Sequence, residues 1–391
     1  MPNPIESEDL WETILAKLPL KIVTRFKPVC KQWKSLVESP VFRNLFVSHH
    51  KDQNSQSSSW SLMNLDDTEE VLARYRCDTW GLERSLGSYI SSFLTDKFDN
   101  HKGKDGQARV VAYTSYDGLI LILQNRTFYV ANPVSRECVE IDPPPVWFDR
   151  NKLFFHYGIA TQTDDNGVVL SYKVVVYAQS INPRNGLSDL SLMIYSSATG
   201  LWNLEPLHLP FISCIMFHDF FNPISLNGNL HWRARRDNGY EVILSIDFYA
   251  TSVQCRGTPF PDLEKFPRFR RVCTTSQGCL MYINVDSDDH KLHVWKLSSW
   301  EWQLVSKTST DVSLFGYIPL GINPFDATTT YFWSKNRPKC LLAINLRSGK
   351  LVFHNNELEP SGNMEHILRS KTSLFSLPLW LHRIPNTVKM V

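Results

Sequence analysis

The sequence predicts two unequal parts: a small all-α unit over about the first fifty residues, then an all-β ring of repeated four-stranded blades, a β-propeller. Three observations carry this expectation. Apolar residues near the N-terminus recur at helical spacing, with Leu10, Ile14 and Leu18 at i, i+4 and i+8. From Ala108 onward the pattern changes to short apolar runs separated by Gly, Asn-Pro and Ser/Thr turns. One of those turns returns at intervals near 50 residues, a period that marks stacked repeats of one supersecondary unit. The expected boundaries are a helical unit over 1–48, a polar linker over 49–59 and the β domain over 60–391.

In the helical unit, Trp11 and Leu15 join the Leu10–Ile14–Leu18 stripe. Ser7 is the expected N-cap, and Glu8 and Asp9 fall where the helix dipole favours negative charge. Pro19 ends this helix by pushing its predecessor out of the α region. A second helix is expected over about Leu20 to Lys27, burying Ile22, Val23 and Phe26. Pro28 breaks it and opens a third, whose apolar stripe is Val29, Trp33, Leu36 and Val37, and Pro40 ends that one.

Three short helices enclose little core, and so small a unit leans on disulfides, metal or a partner. Cys30 is its single cysteine and no metal cage is visible, which leaves packing against another surface. That surface is either the chain's own β domain or a second protein. Four to six apolar side chains buried at roughly 1.5–3 kcal/mol each would support a specific complex after association costs.

The run Leu10…Ile14-Leu15…Leu18-Pro19…Val29-Cys30-Lys31-Gln32-Trp33…Leu36…Pro40…Phe42 resembles an F-box, and Val29-Cys30-Lys31-Gln32-Trp33 is its most specific part. The resemblance implies docking on the Skp-type adaptor of cullin–RING ubiquitin ligases. It assigns Pro4, Ile5, Leu10, Leu15, Leu18, Pro19, Ile22 and Val23 to the adaptor face. Val29, Cys30 and Trp33 hold the helices together or complete that face. The opening Leu-Pro of the motif is here Asn3-Pro4-Ile5, a weaker first anchor.

The chain has 391 residues, 43% of them hydrophobic and 20% charged, which are globular values for a chain with a sizeable core. A net charge of +2 exerts no global pull on nucleic acid or anionic membrane, and neither is expected as a partner. No apolar run approaches the ~20 residues that span a bilayer. MPNPIESEDL is acidic and lacks a hydrophobic signal core, so the expected site is the cytoplasm or nucleus. There the eight scattered cysteines are expected to be reduced, and the Asn125-Arg126-Thr127 sequon inert.

After the polar run His49 to Ser59, residues 66 to 107 have mixed periodicity, and His101 to Arg109 is a basic loop. The β pattern begins with Val110–Tyr113, a Ser115-Tyr116-Asp117-Gly118 turn, Leu119–Leu123 and Thr127–Ala131. Ser/Thr turns follow strands at 135, 199, 251, 299 and 348, at intervals of about 64, 52, 48 and 49 residues. That is the kelch-like propeller period, one blade per repeat. Gly118, Gly228 and Gly278 fall in phase as blade-opening turns. Five visible units plus one assembled from the ends predict six blades, with Trp60–Leu65 or Leu374–Leu381 closing the ring. Asp117-Gly118-Leu119 followed by Asn132-Pro133-Val134-Ser135 is similar to the kelch-like F-box-associated domain of plant F-box proteins.

No G-x-S-x-G, H-E-x-x-H, P-loop or dinucleotide fingerprint appears, and neither catalysis nor a cofactor is expected. Asp286, Asp288, Asp289, His290 and His293 form a polar hairpin tip without the spacing of a calcium loop. Arg233, Arg235 and Arg236, with Arg268, Arg270 and Arg271, lie one blade apart, and phenylalanine interleaves the second group. They are the candidate target-binding rim, suited to an acidic or phosphorylated segment. Trp147-Phe148 and Phe217 with Phe220-Phe221 form a weaker aromatic candidate. The expected protein is a non-catalytic receptor of a Skp–cullin–F-box ligase, binding the adaptor, through it cullin, and an unidentified target. The competing class is a propeller enzyme or a scaffold outside a ligase, its helices a cap.

Overall fold

The computed structural model describes residues 4–52, 58–64, 70–75, 79–98, 107–145, 154–181, 188–207, 212–215, 223–236, 238–251, 254–262, 271–286, 291–310, 314, 317–334, 341–353, 372–381 and 383–386. The N-terminal unit has four helices rather than three: α1 (Pro4–Ala16), α2 (Leu20–Phe26), α3 (Lys31–Glu38) and α4 (Pro40–Asp52). Pro40 opens α4 where termination was expected, because a proline at a first helical position loses no hydrogen bond and Ser39 Oγ accepts from Phe42 N at 3.0 Å. Pro4 likewise opens α1, which places Ser7 inside the helix instead of at its cap. Pro28 does not open α3. Cys30 caps it, its Sγ accepting from Trp33 N at 3.4 Å. The segment expected as a linker from His49 is helical as far as Asp52, and His50 is buried with Nε2 3.1 Å from the Ala16 carbonyl.

A fifth helix, α5 (Leu86–Lys97), lies in the stretch of mixed periodicity. Ser85 caps it by accepting from Ser88 N at 3.3 Å, and Leu86, Ile90, Phe93 and Leu94 are its buried face. Its apolar stripe is diluted by serines at 88, 91 and 92, which hides the period in the sequence.

The β domain has six antiparallel sheets arranged as blades. The first blade is β3 (Arg109–Tyr113), β4 (Ile120–Gln124), β5 (Thr127–Asn132) and β6 (Glu137–Ile141), where the closing β1 (Trp60–Asn64) and β2 (Glu70–Arg74) precede it in the chain. The second is β7 (Phe154–Thr163), β8 (Val169–Ile181), β9 (Ser188–Ser196) and β10 (Leu201–Leu207). In the third, β11 (Ile212–Ile215) and β12 (Ile224–Leu226) share the first position beside β13 (Asn229–Arg236), followed by β14 (Glu241–Asp247) and β15 (Gln254–Pro259). The fourth is β16 (Val272–Ser276), β17 (Cys279–Asp286), β18 (Lys291–Ser298) and β19 (Glu301–Ser309). The fifth is β20 (Tyr317–Ile322), β21 (Thr329–Ser334), β22 (Leu341–Asn345) and β23 (Leu351–Phe353). The sixth joins the two ends of the chain: β24 (Thr372–Ser376) pairs with β1, and β1 with β2. Both segments expected to close the ring do so together, pairing the C-terminal β24 with the N-terminal β1.

The repeated turns have a physical cause. After β5, β14 and β22 the terminal Asn132, Asp247 and Asn345 each accept two backbone N–H bonds through Oδ1, at 2.8–3.1 Å. These Asx turns join the third and fourth strands of a blade. Gly118, Gly228 and Gly278 have φ of +67°, +75° and +68° and join the first and second strands.

Apolar cores fill the gaps between consecutive blades. Ile159, Val174 and Leu121 lie between the first and second, Trp232 and Val175 between the second and third, and Tyr282 and Ile243 between the third and fourth. Phe332 and Ile283 lie between the fourth and fifth, and Trp333 and Leu62 between the fifth and sixth. The core between the sixth and first blades is larger, because α5 and the N-terminal helices join it. Leu15, Leu20, Val23, Phe42 and Phe46 pack there with Ile90, Phe93, Tyr113, Phe375 and Trp380.

Candidate functional site

The helical unit divides its apolar residues between two surfaces. Leu15 is 1% exposed and Val23 0%, both sealed in the core shared with α5 and the ring. Leu18 packs against that core as a half-buried residue, Ile22 is half-buried, and Pro19 abuts Gly81. Assigning Leu15 and Val23 to an adaptor face is therefore corrected: the chain itself covers them. The cause is α5 and the segment Thr79–Leu82, which supply an apolar floor for α1 and α2. Leu20 N donates to the Thr79 carbonyl at 2.8 Å and Lys21 N to that of Trp80 at 3.3 Å.

The opposite surface is uncovered. Leu10 is 60% exposed, Trp11 45%, Ile14 41% and Val29 63%. Trp33 links them from α3: its ring lies 5.7 Å from that of Trp11 and meets Phe26 edge-on at 4.7 Å. Cys30 is exposed beside Val29, and Pro4 and Ile5 lie in the first turn of α1. Ile14 and Leu15 are adjacent in sequence and about 100° apart around the helix, which is why one faces solvent and the other the core. Val41 and Leu45 on α4 add to the exposed set. Among the described residues, six of the twelve exposed large hydrophobics thus belong to this one small unit, a concentration typical of an interaction surface.

The arginine rim dissolves on inspection of its contacts. Arg271, 2% exposed, donates through one Nη to Glu241 Oε2 at 2.6 Å and through Nε to Asp262 Oδ2 at 3.2 Å, and its other Nη bonds Asp262 Oδ1. Its guanidinium also lies 4.7 Å from the centre of the Phe260 ring. Arg233 donates to both Glu241 oxygens at 3.4 Å and to the Arg271 carbonyl at 3.3 Å. Tyr282 Oη donates to Asp262. Burial by itself would lower the Arg271 pKa, but the Asp262 and Glu241 carboxylates overturn this and hold the group charged. Arg233 and Arg271 are therefore not a target-binding rim. They clamp the third blade to the fourth, a role that no local pattern marks because Glu241 reaches them from β14 and Asp262 from the turn after β15. Arg235 and Arg236 remain partly exposed at the end of β13, Arg235 3.7 Å from Glu241 and Arg236 donating to the Gly257 carbonyl at 3.0 Å. Arg268 and Arg270 lie outside the described residues, as do Asp288, Asp289, His290, Trp147, Phe148, Phe217, Phe220 and Phe221.

The centre of the ring holds a small cavity of about 20 Å³, its polar lining made of neutral hydroxyls, among them Ser115, Ser225, Thr274, Thr275, Thr372 and Ser373. Burial pushes the Cys273 thiol in its wall up to about 12, against the pull of Arg233 and Arg271, so the sulfur is a poor nucleophile. Tyr116 reaches across the ring from the first blade to donate to the Pro324 carbonyl at 3.3 Å. Neither an acid–base pair nor a group of three metal-ligating side chains occurs among the described residues of this cavity.

A helical unit with a bared apolar face, seated on a six-bladed ring, defines the class: an F-box protein with a β-propeller body. Comparison with known proteins agrees in both parts. A family described as "F-box protein At3g26010-like, beta-propeller" matches residues 58–377, and the F-box domain family matches residues 7–45. F-box protein At3g28330 of Arabidopsis thaliana is 49% identical, the alignment covering 98% of this chain and 97% of that protein. F-box protein At3g26010 of the same plant is 34% identical over 88% of this chain and 78% of its own length. The chain belongs to the At3g26010-like family of F-box β-propeller proteins.

Proposed function

We propose that the protein is the target-receptor subunit of a Skp–cullin–F-box ubiquitin ligase, working in the cytoplasm or nucleus. The surface formed by Leu10, Trp11, Ile14, Val29 and Trp33 docks the Skp-type adaptor, and through it cullin. The propeller holds the target protein. No bond is made or broken in this chain; holding the target close to the ubiquitin-charged enzyme raises the effective concentration of its lysines. The observation that carries the proposal is the bared apolar face on helices whose other side is fully packed. For the target, Arg235 and Arg236 at the end of β13 are, among the described residues, the accessible members of the arginine group and fit an acidic or phosphorylated segment.

Reconstitution of the full chain with a plant Skp-type adaptor and cullin tests this. Stable co-elution, together with ubiquitination of a co-purifying protein, is the expected result. Arg235→Glu with Arg236→Glu is expected to abolish target capture while leaving the adaptor bound. Co-elution without ubiquitination would make the chain a scaffold outside a ligase, and absence of adaptor binding would remove the proposal.

A further inference from the structure

β24 is the clasp of the ring. It pairs with β1 along its whole length, from Trp60 opposite Ser376 to Asn64 opposite Thr372. Its last residue is fastened to the first blade, Ser376 N and Oγ both donating to the Ser115 carbonyl, at 3.1 and 2.8 Å. The next few residues leave the ring and enter the helical unit. The Trp380 indole lies edge-on to Phe42 at 6.0 Å and to Phe46 at 4.9 Å, both on α4. Trp80 Nε1 donates to the Pro378 carbonyl at 2.7 Å, and the same Trp80–Gly81 segment is the seat of α2.

Close approach to the first blade confines this strap, and a second close approach confines the seat of α2. A Cβ on Gly118, at φ +67°, would lie 3.0 Å from Pro378 Cδ and 3.2 Å from Leu377 Cδ2. A Cβ on Gly81, at φ +63°, would lie 2.8 Å from Pro19 Cβ. Four residues from Ser376 to Trp380 span at most about 14 Å when extended. The clasp and the indole cannot separate by more than that reach without one of them letting go.

We infer that seating of the F-box and closure of the ring are one cooperative unit, joined by the strap Leu377–Trp380. Loosening the F-box loosens the clasp, and loosening the clasp loosens the F-box, by the same factor in both directions. In the ligase role proposed above, adaptor docking then holds the ring shut, and a target that grips the closing blade tightens adaptor binding. This consequence rests on that role; the coupling itself does not.

Amide hydrogen exchange in the full-length chain tests it from both sides. Phe46→Leu weakens the helical side and Leu374→Ala the clasp, with β13 and β14 as a distant control. Phe46→Leu is expected to speed exchange about tenfold in α4 and also in β1 and β24, with β13–β14 within twofold of wild type. Leu374→Ala is expected to speed α2 and α4 as well as β24. In a Trp380→Ala background, Phe46→Leu should no longer reach β24. Helices that respond while β1 and β24 stay within twofold would overturn the inference, as would an effect that persists in Trp380→Ala. An adaptor arm keeps the two proposals apart. Wild-type chain that binds no adaptor removes the ligase role and leaves the coupling standing, whereas bound adaptor without slower exchange in β24 removes the coupling.

Discussion

Ile14 and Leu15 offer the sharpest contrast in the molecule, because one covalent step carries the chain from the bared face to the shared core. Ile14 is 41% exposed and Leu15 is 1% exposed. Complete burial of an isoleucine is worth about 1.5–3 kcal/mol, so covering the share of Ile14 that remains exposed contributes about 1 kcal/mol to docking. Ile14→Ala should therefore weaken adaptor binding by about fivefold. Ile14→Asp adds the cost of desolvating a carboxylate, several kcal/mol, and should weaken it by about 100-fold or more with unfolding unchanged. Leu15→Asp places the same charge among Val23, Phe46 and Ile90 and should cost about 4 kcal/mol of folding stability. Titration calorimetry with purified adaptor and urea unfolding of each variant separate the two effects. If Ile14→Asp binds as wild type does, the bared face is not the docking surface. If Leu15→Asp unfolds at the wild-type urea concentration, the shared core is wrong.

Glu241→Ala leaves Arg233 and Arg271 buried against each other without their common carboxylate, and should destabilise the chain by about 3–5 kcal/mol in urea unfolding. A loss below about 1 kcal/mol would show that the clamp between the third and fourth blades is dispensable. His231, buried with Nδ1 2.7 Å from Ser245 Oγ, has its pKa lowered by burial from 6.5 to about 4. The unfolded chain then binds a proton below pH 6.5 that the folded chain refuses until pH falls to about 4, so stability drops as the solution is acidified through that window. The shift corresponds to about 3 kcal/mol. Urea unfolding of wild type and His231→Gln between pH 7.5 and pH 4 should show a steeper fall for wild type, and parallel curves would refute this account.

The fold was legible from patterns that act locally. Asn132, Asp247 and Asn345 bond their own following backbone, so each Asx turn is specified by a few neighbouring residues and repeats wherever they do. Six blades follow from the spacing of such turns and from the need to close a sheet's edges. The helix α5 was not legible, because its serines blur the period and its buried face is defined by a surface brought from the ring.

The sequence by itself determined that a short helical unit precedes a ring of repeated blades, and which residues of that unit are apolar. It could not determine which of those residues face outward. Leu10, Ile14, Leu15 and Val23 are alike as hydrophobic side chains, and only the packing of α1 and α2 into the core shared with α4, α5 and the ring separates the covered ones from the bared ones. The arginines divide for the same reason. Arg233 and Arg271 look like a surface rim in sequence, and the tertiary structure buries them by delivering Glu241 from β14 and Asp262 from the turn after β15. Charge in a protein interior is tolerated only where an opposite charge arrives from elsewhere in the chain, and that meeting is a property of the fold.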